Sequence, residues 1–422
     1  MLPREGNAAR TATTSARPSR VLFLNDYGTP SGGAEIQIIK IRDSLRQRGV
    51  DARLFASTAD VGPGGNQADA RCFGTTSLLR TPLQVANPSA YRRLRRLLDE
   101  FQPDVVHVQI FLTQLSPLIL PLLTSIPSIY HVAWYRPVCP LGTKMLPDGS
   151  ECRVRAGLAC HANGCLRWHN WGLLMGQRSL FRRWWRAFDR IIAVSASIRD
   201  ELVADDIGPV EVMWNPVADR AARPRLSFPP TVAYAGRLVP EKGVGVLLLA
   251  FRDVVKEIPD ARLLILGGGP ERKELEGRAA DLGLEARVKF FGHLAPAEAE
   301  EVLASAWVQA VPSRWREPFG NVAAEAMMRG TAVVASASGG LAEFVQEGET
   351  GLLVPPGEAA PLARGLVRLL LDRGYAERMG QHGREFARTN LRLDAYLDRL
   401  LKVYAAVSGA RDSDPMHQAR AY

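Results

Sequence analysis

Three places in the chain combine residue types and spacing suited to chemistry on a charged ligand. The stretch VPSRWREPFGNVAAEAMMRG carries Glu317 and Glu325 with seven residues between them. A short apolar run precedes it and a helical pattern follows, so Glu317 falls in the connecting loop and Glu325 one to two turns into the helix. Two carboxylates held this way can accept hydrogen bonds from sugar hydroxyls, which are donors needing acceptors of fixed direction. The backbone N–H groups of Phe319, Gly320 and Asn321 lie at the helix start and can bind oxygens. A second stretch, AYAGRLVPEKGVGVLLLA, sets Gly236 and Arg237 after a strand and Lys242 at the opening of a helix. Two fixed cations beside a helix N-terminus suit a diphosphate that must be held and then leave with extra charge. The third, NDYGTPSGGAEIQIIK, places Gly32 and Gly33 in a turn between a strand and an amphipathic helix. There the backbone can approach a ligand closely and the helix terminus favours a phosphate, although the spacing is not G-x-G-x-x-G. Both Glu317 and Lys242 are expected to be exposed in a cleft.

Short Val/Ile/Leu runs alternate with longer helix-period segments along the whole chain, the pattern of doubly wound parallel sheets. Strands are predicted at 21–25, 52–56, 104–109, 128–132, 190–195 and 210–214, then at 231–235, 262–266, 288–291, 308–311, 332–335 and 351–354. A Pro-containing stretch without either period, 216–230, separates the two series. The expected organisation is a loose tail at 1–19, a first Rossmann-like domain at 20–215, a second at 216–390, a helix at 391–408 crossing back to the first, and a tail at 409–422. The residues 139–170 show neither period and read as an insert in the first domain.

At 422 residues the chain exceeds what one core usually organises, and 46% hydrophobic residues give each domain enough to bury. The opening residues have no apolar run of the signal-peptide kind, and the most apolar stretch, 112–129, is broken by Pro117, Pro121 and Pro127. A cytoplasmic protein is expected. The net charge of +9 favours anionic partners, among them phosphorylated small molecules and anionic lipid headgroups. No Lys-rich tail, zinc-finger spacing or aromatic RNA-binding signature accompanies it, so nucleic acid is not an expected partner.

Taken together, the motifs resemble those of glycosyltransferase family 4, the retaining enzymes of GT-B fold. The resemblance spans roughly residues 20–405 and rests on E-P-F-G-N-V-A-A-E (317–325), G-R-L-V-P-E-K-G (236–243) and S-G-G-A-E (31–35). Weaker support comes from D-V-V-H-V (104–108), I-I-A-V-S (191–195), W-N-P-V (214–217) and S-G-G-L-A-E-F-V (338–345). It implies two Rossmann-like domains facing across a cleft. It also implies transfer of a sugar from a nucleotide-diphosphate donor to a glycan or lipid-linked acceptor, with retention. By the resemblance Arg237 and Lys242 grip the donor diphosphate, Glu325 meets the ribose, Glu317 meets donor-sugar hydroxyls, and the Gly32–Gly33 turn closes over donor and acceptor. His131, in Y-H-V-A-W, is similar to a histidine near the reaction centre of many members. The departing phosphate of such enzymes helps deprotonate the acceptor, so no catalytic metal is expected, and no Asp-x-Asp stands in a fitting place. Alternatives are another GT-B enzyme, a phosphorylase or epimerase, and a noncatalytic nucleotide-sugar-binding protein. A Rossmann oxidoreductase is suggested only by Gly267, Gly268 and Gly269.

Two features remain. Cys139, Cys152, Cys160 and Cys165 lie within the insert, separated by twelve, seven and four residues. The expectation is one structural cluster, with zinc favoured over disulfides although no C-x-x-C is present, and with His161 or His169 as substitute ligands. The segment QRSLFRRWWRAF (177–188) puts Leu180, Phe181, Trp184, Trp185 and Phe188 on one helical face and Arg182, Arg183 and Arg186 on the other. With the cluster Arg92, Arg93, Arg95 and Arg96 it allows peripheral contact with an anionic membrane, while packing on the sheet is the plainer use of the same face.

Overall fold

A computed structural model describes residues 18–59, 62 and 64–412. Most of the two expected tails, 1–17 and 413–422, therefore lies outside the described residues, while 409–412 extend the last helix.

Among the described residues thirteen strands form two wholly parallel sheets. The first contains β1 (Arg20–Tyr27), β2 (Asp51–Ser57), β3 (Ala70–Cys72), β4 (Val105–Val108), β5 (Ser128–Val132), β6 (Arg190–Ala193) and β7 (Val210–Val212), in the order β3-β2-β1-β4-β5-β6-β7. The second contains β8 (Thr231–Ala235), β9 (Arg262–Leu266), β10 (Val288–Gly292), β11 (Val308–Val311), β12 (Ala332–Ser336) and β13 (Leu352–Val354), in the order β10-β9-β8-β11-β12-β13. Twelve of these match the sequence reading. Only β3 was not predicted, since three residues at a sheet edge carry no readable period. The sheet order reverses between β1 and β4 and again between β8 and β11. Such reversals open a crevice at the carboxyl ends of the strands.

Strands of this kind are buried on both faces, which is why β1 and β5 read as near-continuous apolar runs. On one face of the first sheet Leu22, Leu24, Val106 and Tyr130 pack with Leu94, Leu98, Ile119, Phe181 and Trp185. Phe181 and Phe188 meet Phe111 and Tyr130 ring to ring. The apolar side of residues 177–188 is thus core, as the plainer reading had it, and is not available to a membrane. The Arg92, Arg93, Arg95 and Arg96 side of the helix Pro88–Phe101 is exposed. No described helix is long and apolar enough to cross a membrane.

On the opposite face Val21, Phe23 and Ile129 pack with Ile38, Ile41 and Leu45, and with Tyr396, Leu397, Leu400 and Tyr404 of the final helix, Leu393–Asp412. The last helix therefore returns to the first sheet, after the chain has completed the second. The apolar cluster on the other face also continues across to Phe319, Ala323, Met327 and Phe344 beside the second sheet. Leu400 is fully buried, so Leu400→Ala is expected to cost about 2–5 kcal/mol. Urea unfolding reads this, and an unchanged midpoint would contradict the docking of that helix.

Candidate active site

The three chemistry-bearing stretches arrive at the carboxyl ends of β1, β8 and β11, next to the two sheet reversals. Gly32 caps the helix Gly33–Gln47 in extended conformation and offers its first turn no side-chain hydrogen bond. A Cβ on Gly33 would lie 2.9 Å from Asn321 Nδ2. Asn321 in turn opens the helix Asn321–Arg329 of the second domain. Two helix N-termini thus meet across the cleft, each with first-turn N–H groups that have no partner within the helix. Gly33 is the residue that lets them come this close.

Lys242 ends the turn Pro240–Lys242, and its Nζ lies 2.5 Å from Glu317 Oε1 and 5.1 Å above the Trp315 ring centre. Ser313 Oγ donates to the same carboxylate oxygen at 2.6 Å. Glu317 is only 3% exposed and the Lys242 side chain 20%, so neither is the open cleft residue expected. They form a nearly buried ion pair because a carboxylate taken from water needs a counter-charge and donors in place. Burial alone would raise the Glu317 carboxyl. The Lys242 charge and the hydrogen bonds from Lys242 and Ser313 outweigh it and hold the group below its ordinary range. Arg237 is the more accessible cation, its side chain 57% exposed and 3.5 Å from Glu241.

Glu35 is a charged neighbour not singled out in the sequence, although it stands in the quoted S-G-G-A-E. Burial raises its carboxyl, and the charge of Arg237 from across the cleft opposes that. Gly267, offered as an oxidoreductase hint, has another use. It sits at φ +123°, and a Cβ there would lie 1.9 Å from Gly236 O. Gly267 and Gly269 are glycine because the loops after β8 and β9 pack backbone against backbone, against Gly236 and Leu238 on either side of Arg237.

Other expected residues are placed differently. Glu325 is in the helix as predicted, but Arg220 Nη2 lies 3.1 Å from it, and Arg220 and Arg329 also pair with Glu300. Phe319 contributes its backbone to the helix start while its ring is core, stacked on Phe344 at 4.9 Å. His131 is not a cleft residue. It is fully buried under the final helix, 5.4 Å from the His107 ring and with Nδ1 3.3 Å from Tyr396 Oη. Burial pushes its pKa down to about 4, so it stays neutral, because nothing there stabilises an imidazolium.

Cys139, Cys152, Cys160 and Cys165 do line one small cavity with Leu141, Met145 and Leu166, so the clustering is present. All four are free thiols, and among the described residues no group of three or more His, Cys, Asp or Glu could hold a metal ion. The expected zinc does not fit this arrangement, and the small apolar lining accounts for the thiols by packing.

Two inter-domain contacts went unread in the sequence. Glu343 of the second domain accepts from the backbone N–H groups of Ala196 and Ser197, at 2.9 and 2.8 Å, and from Trp214 Nε1 at 3.2 Å. Its carboxylate so caps the helix Ala196–Ala204 of the first domain, where negative charge is favoured. Arg316, next to Glu317, reaches Glu201 at 2.5 Å and Glu151 of the insert at 3.4 Å, and Lys144 joins Glu201 at 2.8 Å. The insert consequently touches the loop that carries the site.

Comparisons with known proteins identify the family. Residues 31–220 match the model of Glycosyltransferase Family 4, and residues 218–386 that of Glycosyl transferases group 1. A GDP-mannose-dependent alpha-(1-6)-phosphatidylinositol monomannoside mannosyltransferase of Mycobacterium tuberculosis is 33% identical over 93% of this chain and 100% of its own length. The chain belongs to glycosyltransferase family 4. A D-inositol 3-phosphate glycosyltransferase of Corynebacterium efficiens is 39% identical over 47% of this chain and 49% of its own. Among solved structures, sucrose-phosphate synthase from Thermosynechococcus elongatus superimposes with a TM-score of 0.72 at 22% identity, covering 93% of this chain and 100% of its own. Anabaena HepE in complex with UDP-glucose gives 0.68 at 22% identity over 92% and 99%. The fold of this family 4 chain is accordingly GT-B, and its class of activity is sugar transfer.

Replacing Lys242 by Met leaves the Glu317 carboxylate buried without its counter-charge, a loss of about 3–5 kcal/mol at neutral pH. The wild-type pair stabilises the fold above the ordinary carboxyl value of 4.5 and loses that contribution as pH falls through the lowered value. Acid should therefore narrow the gap between Lys242→Met and wild type. Denaturant midpoints at neutral and acid pH check this, and a gap independent of pH would contradict the pairing.

Proposed function

We propose that this glycosyltransferase moves a hexosyl group from a GDP- or UDP-linked donor to a glycan or lipid-linked acceptor, with retention and without a divalent metal. The observation that carries the reading is the meeting of two helix N-termini with Arg237 and Lys242 at the sheet reversals. Such a site offers donors and positive charge where a departing diphosphate gains negative charge. Lys242 stands against the diphosphate and fixes Glu317. Of the Glu317 oxygens, Oε1 is taken by Lys242 and Ser313, which orients the group toward a sugar hydroxyl. Glu325, steadied by Arg220, is in place for a ribose hydroxyl. The departing phosphate accepts the acceptor proton on the face it leaves, the step that retention requires.

The mycobacterial relative matched over its full length is named for GDP-mannose and phosphatidylinositol monomannoside, which favours GDP over UDP and a lipid-linked acceptor here. Such an acceptor calls for contact at the cytoplasmic membrane face. The exposed Arg92, Arg93, Arg95 and Arg96 suit anionic headgroups.

GDP should stabilise the protein in the presence of a chelator, by about 2.7 kcal/mol at a hundredfold excess over Kd. Arg237→Ala should weaken that binding about 10–100-fold while leaving the ligand-free melt unchanged, because the side chain is largely exposed. Titration calorimetry and thermal melts read both effects, and NMR of the transfer product reads the anomeric outcome. If no nucleoside diphosphate binds, or every one needs Mg²⁺, the site reading fails. An inverted product would remove retention.

A further inference from the structure

Residues 312–320 join β11 to the helix Asn321–Arg329 without helix or strand of their own, and they carry Glu317. The conformation of such a segment is set by what it leans on. On one side it leans on the first domain's insert. Residues 144–152 of that insert form a hairpin: Met145 pairs antiparallel with Glu151, Cys152 N donates to Lys144 O at 2.9 Å, and Leu146 N to Ser150 O at 2.8 Å. Asp148 closes the turn by accepting from Ser150 N and Oγ at 2.8 and 2.7 Å, and Gly149 supplies the left-handed conformation there, at φ +86°. Met145, Leu146 and Cys152 anchor the hairpin by lining the cavity that the other three thiols and Leu166 complete.

The turn of the hairpin lies against the second domain. Arg314 Nη2 fills the place that a Cβ on Gly149 would take, and the Arg314 charge acts on Asp148. Beside it four charged groups meet. Lys144 and Glu151 come from the hairpin, Glu201 from the helix Ala196–Ala204, and Arg316 from the site loop. Lys144 is 2.8 Å from Glu201, while Arg316 is 2.5 Å from Glu201 and 3.4 Å from Glu151. Arg153 also pairs with Glu151, at 3.1 Å. Both carboxylates of the first domain thus have a cation of their own, and Arg316 is the one member that crosses between domains.

From these two arginines the contact passes straight to the donor cations. Arg314 N donates to Glu241 O at 2.9 Å, and Pro312 O abuts Gly243 so closely that no Cβ fits between. The loop therefore packs on the turn Pro240–Lys242, and Lys242 and Ser313 meet on Glu317, the residue next to Arg316.

We propose that the hairpin 144–152 is a positioning element of the transferase site: docked on Arg314 and Arg316, it fixes the loop that presents Glu317 and braces Lys242, and a bound donor holds the hairpin down in return. The proposal rests on the donor reading above and adds to it a tie from the first domain's insert. Coupling of two binding equilibria is reciprocal, so nucleotide affinity and hairpin docking shift together.

The test uses the full chain, GDP and a chelator. Calorimetry reads the GDP affinity, and hydrogen exchange reads the amides of Leu146, Gly149 and Cys152, each bonded within the hairpin. Arg316→Gln is expected to bind GDP about five- to tenfold more weakly. Its ligand-free melt should stay close to wild type, because Lys144 and Arg153 still neutralise Glu201 and Glu151. Arg316→Lys, which keeps the charge without the fork, should fall between. GDP should slow exchange of the hairpin amides in wild type, and Arg316→Gln should lose most of that slowing. Glu151→Gln, a change confined to the hairpin, should weaken GDP binding by a smaller factor, and the double variant should bind no more weakly than Arg316→Gln alone. Equal GDP affinity of wild type and Arg316→Gln, or hairpin exchange in wild type indifferent to GDP, overturns the proposal and leaves the donor reading standing. A wild type that binds no nucleoside diphosphate fails the donor reading, and this proposal with it. Should Arg316→Gln not fold, the wild-type exchange and the GDP affinity of Glu151→Gln decide: slowing by GDP together with a weakened Glu151→Gln is expected, and the absence of either overturns the tie.

Discussion

Two helix N-termini face each other in this protein across a gap that admits no side chain at Gly33. Each terminus carries about half a positive charge, and like ends brought together repel. Arg237 and Lys242 add two full charges to the same region. The fold tolerates this because acidic groups are set among the cations: Glu317 on Lys242, Glu241 on Arg237, and Glu35 within reach of Arg237. The arrangement is balanced as it stands, and the N–H groups of Gly33, Ala34, Asn321 and Val322 open their helices with no carbonyl of a preceding turn to meet. A nucleotide diphosphate placed there supplies those acceptors at once and adds the anion that the opposed termini favour.

Holding two domains so that the termini meet requires contacts far from any reacting atom. Glu343 caps a helix of the first domain from the second, and Trp214 donates to the same carboxylate. Next along the chain Asn215 reaches Asn321 at 3.1 Å, Pro216 accepts from Gln37 at 2.7 Å, and Val217 pairs with the strand-like residue Arg392. One short connection thus ties together the first helix, the helix Asn321–Arg329 and the entry to the final helix. Arg316 adds a charged link from the site loop to Glu201 and the insert.

The fold was legible because parallel strands covered on both faces announce themselves as apolar runs, and twelve of the thirteen strands are such runs or close to it. The positions of Arg237 and Lys242 were legible because strand, glycine and helix start fix where along the chain these residues fall. Burial was not. Glu317 and Lys242 look like exposed charges until the loops after β8 and β11 bring them together, and His131 looks like a cleft residue until the final helix is laid across it. Both errors have one source, contacts between segments distant in sequence. The motifs at 191–195, 214–217 and 338–345 were recognisable as patterns, yet their shared purpose appeared only when Ser195, Trp214 and Glu343 came together. The Cys spacing gave a cluster, and Cys139, Cys152, Cys160 and Cys165 do line one cavity.

The most direct test of this account is a crystal structure of the chain with a nucleoside diphosphate and a chelator. The diphosphate is predicted beside the abutting starts of the helices Gly33–Gln47 and Asn321–Arg329, on the side of Arg237 and Lys242, with its oxygens on backbone N–H groups and these two cations. A diphosphate bound away from these helix starts, or bound there only through a divalent ion, would contradict it.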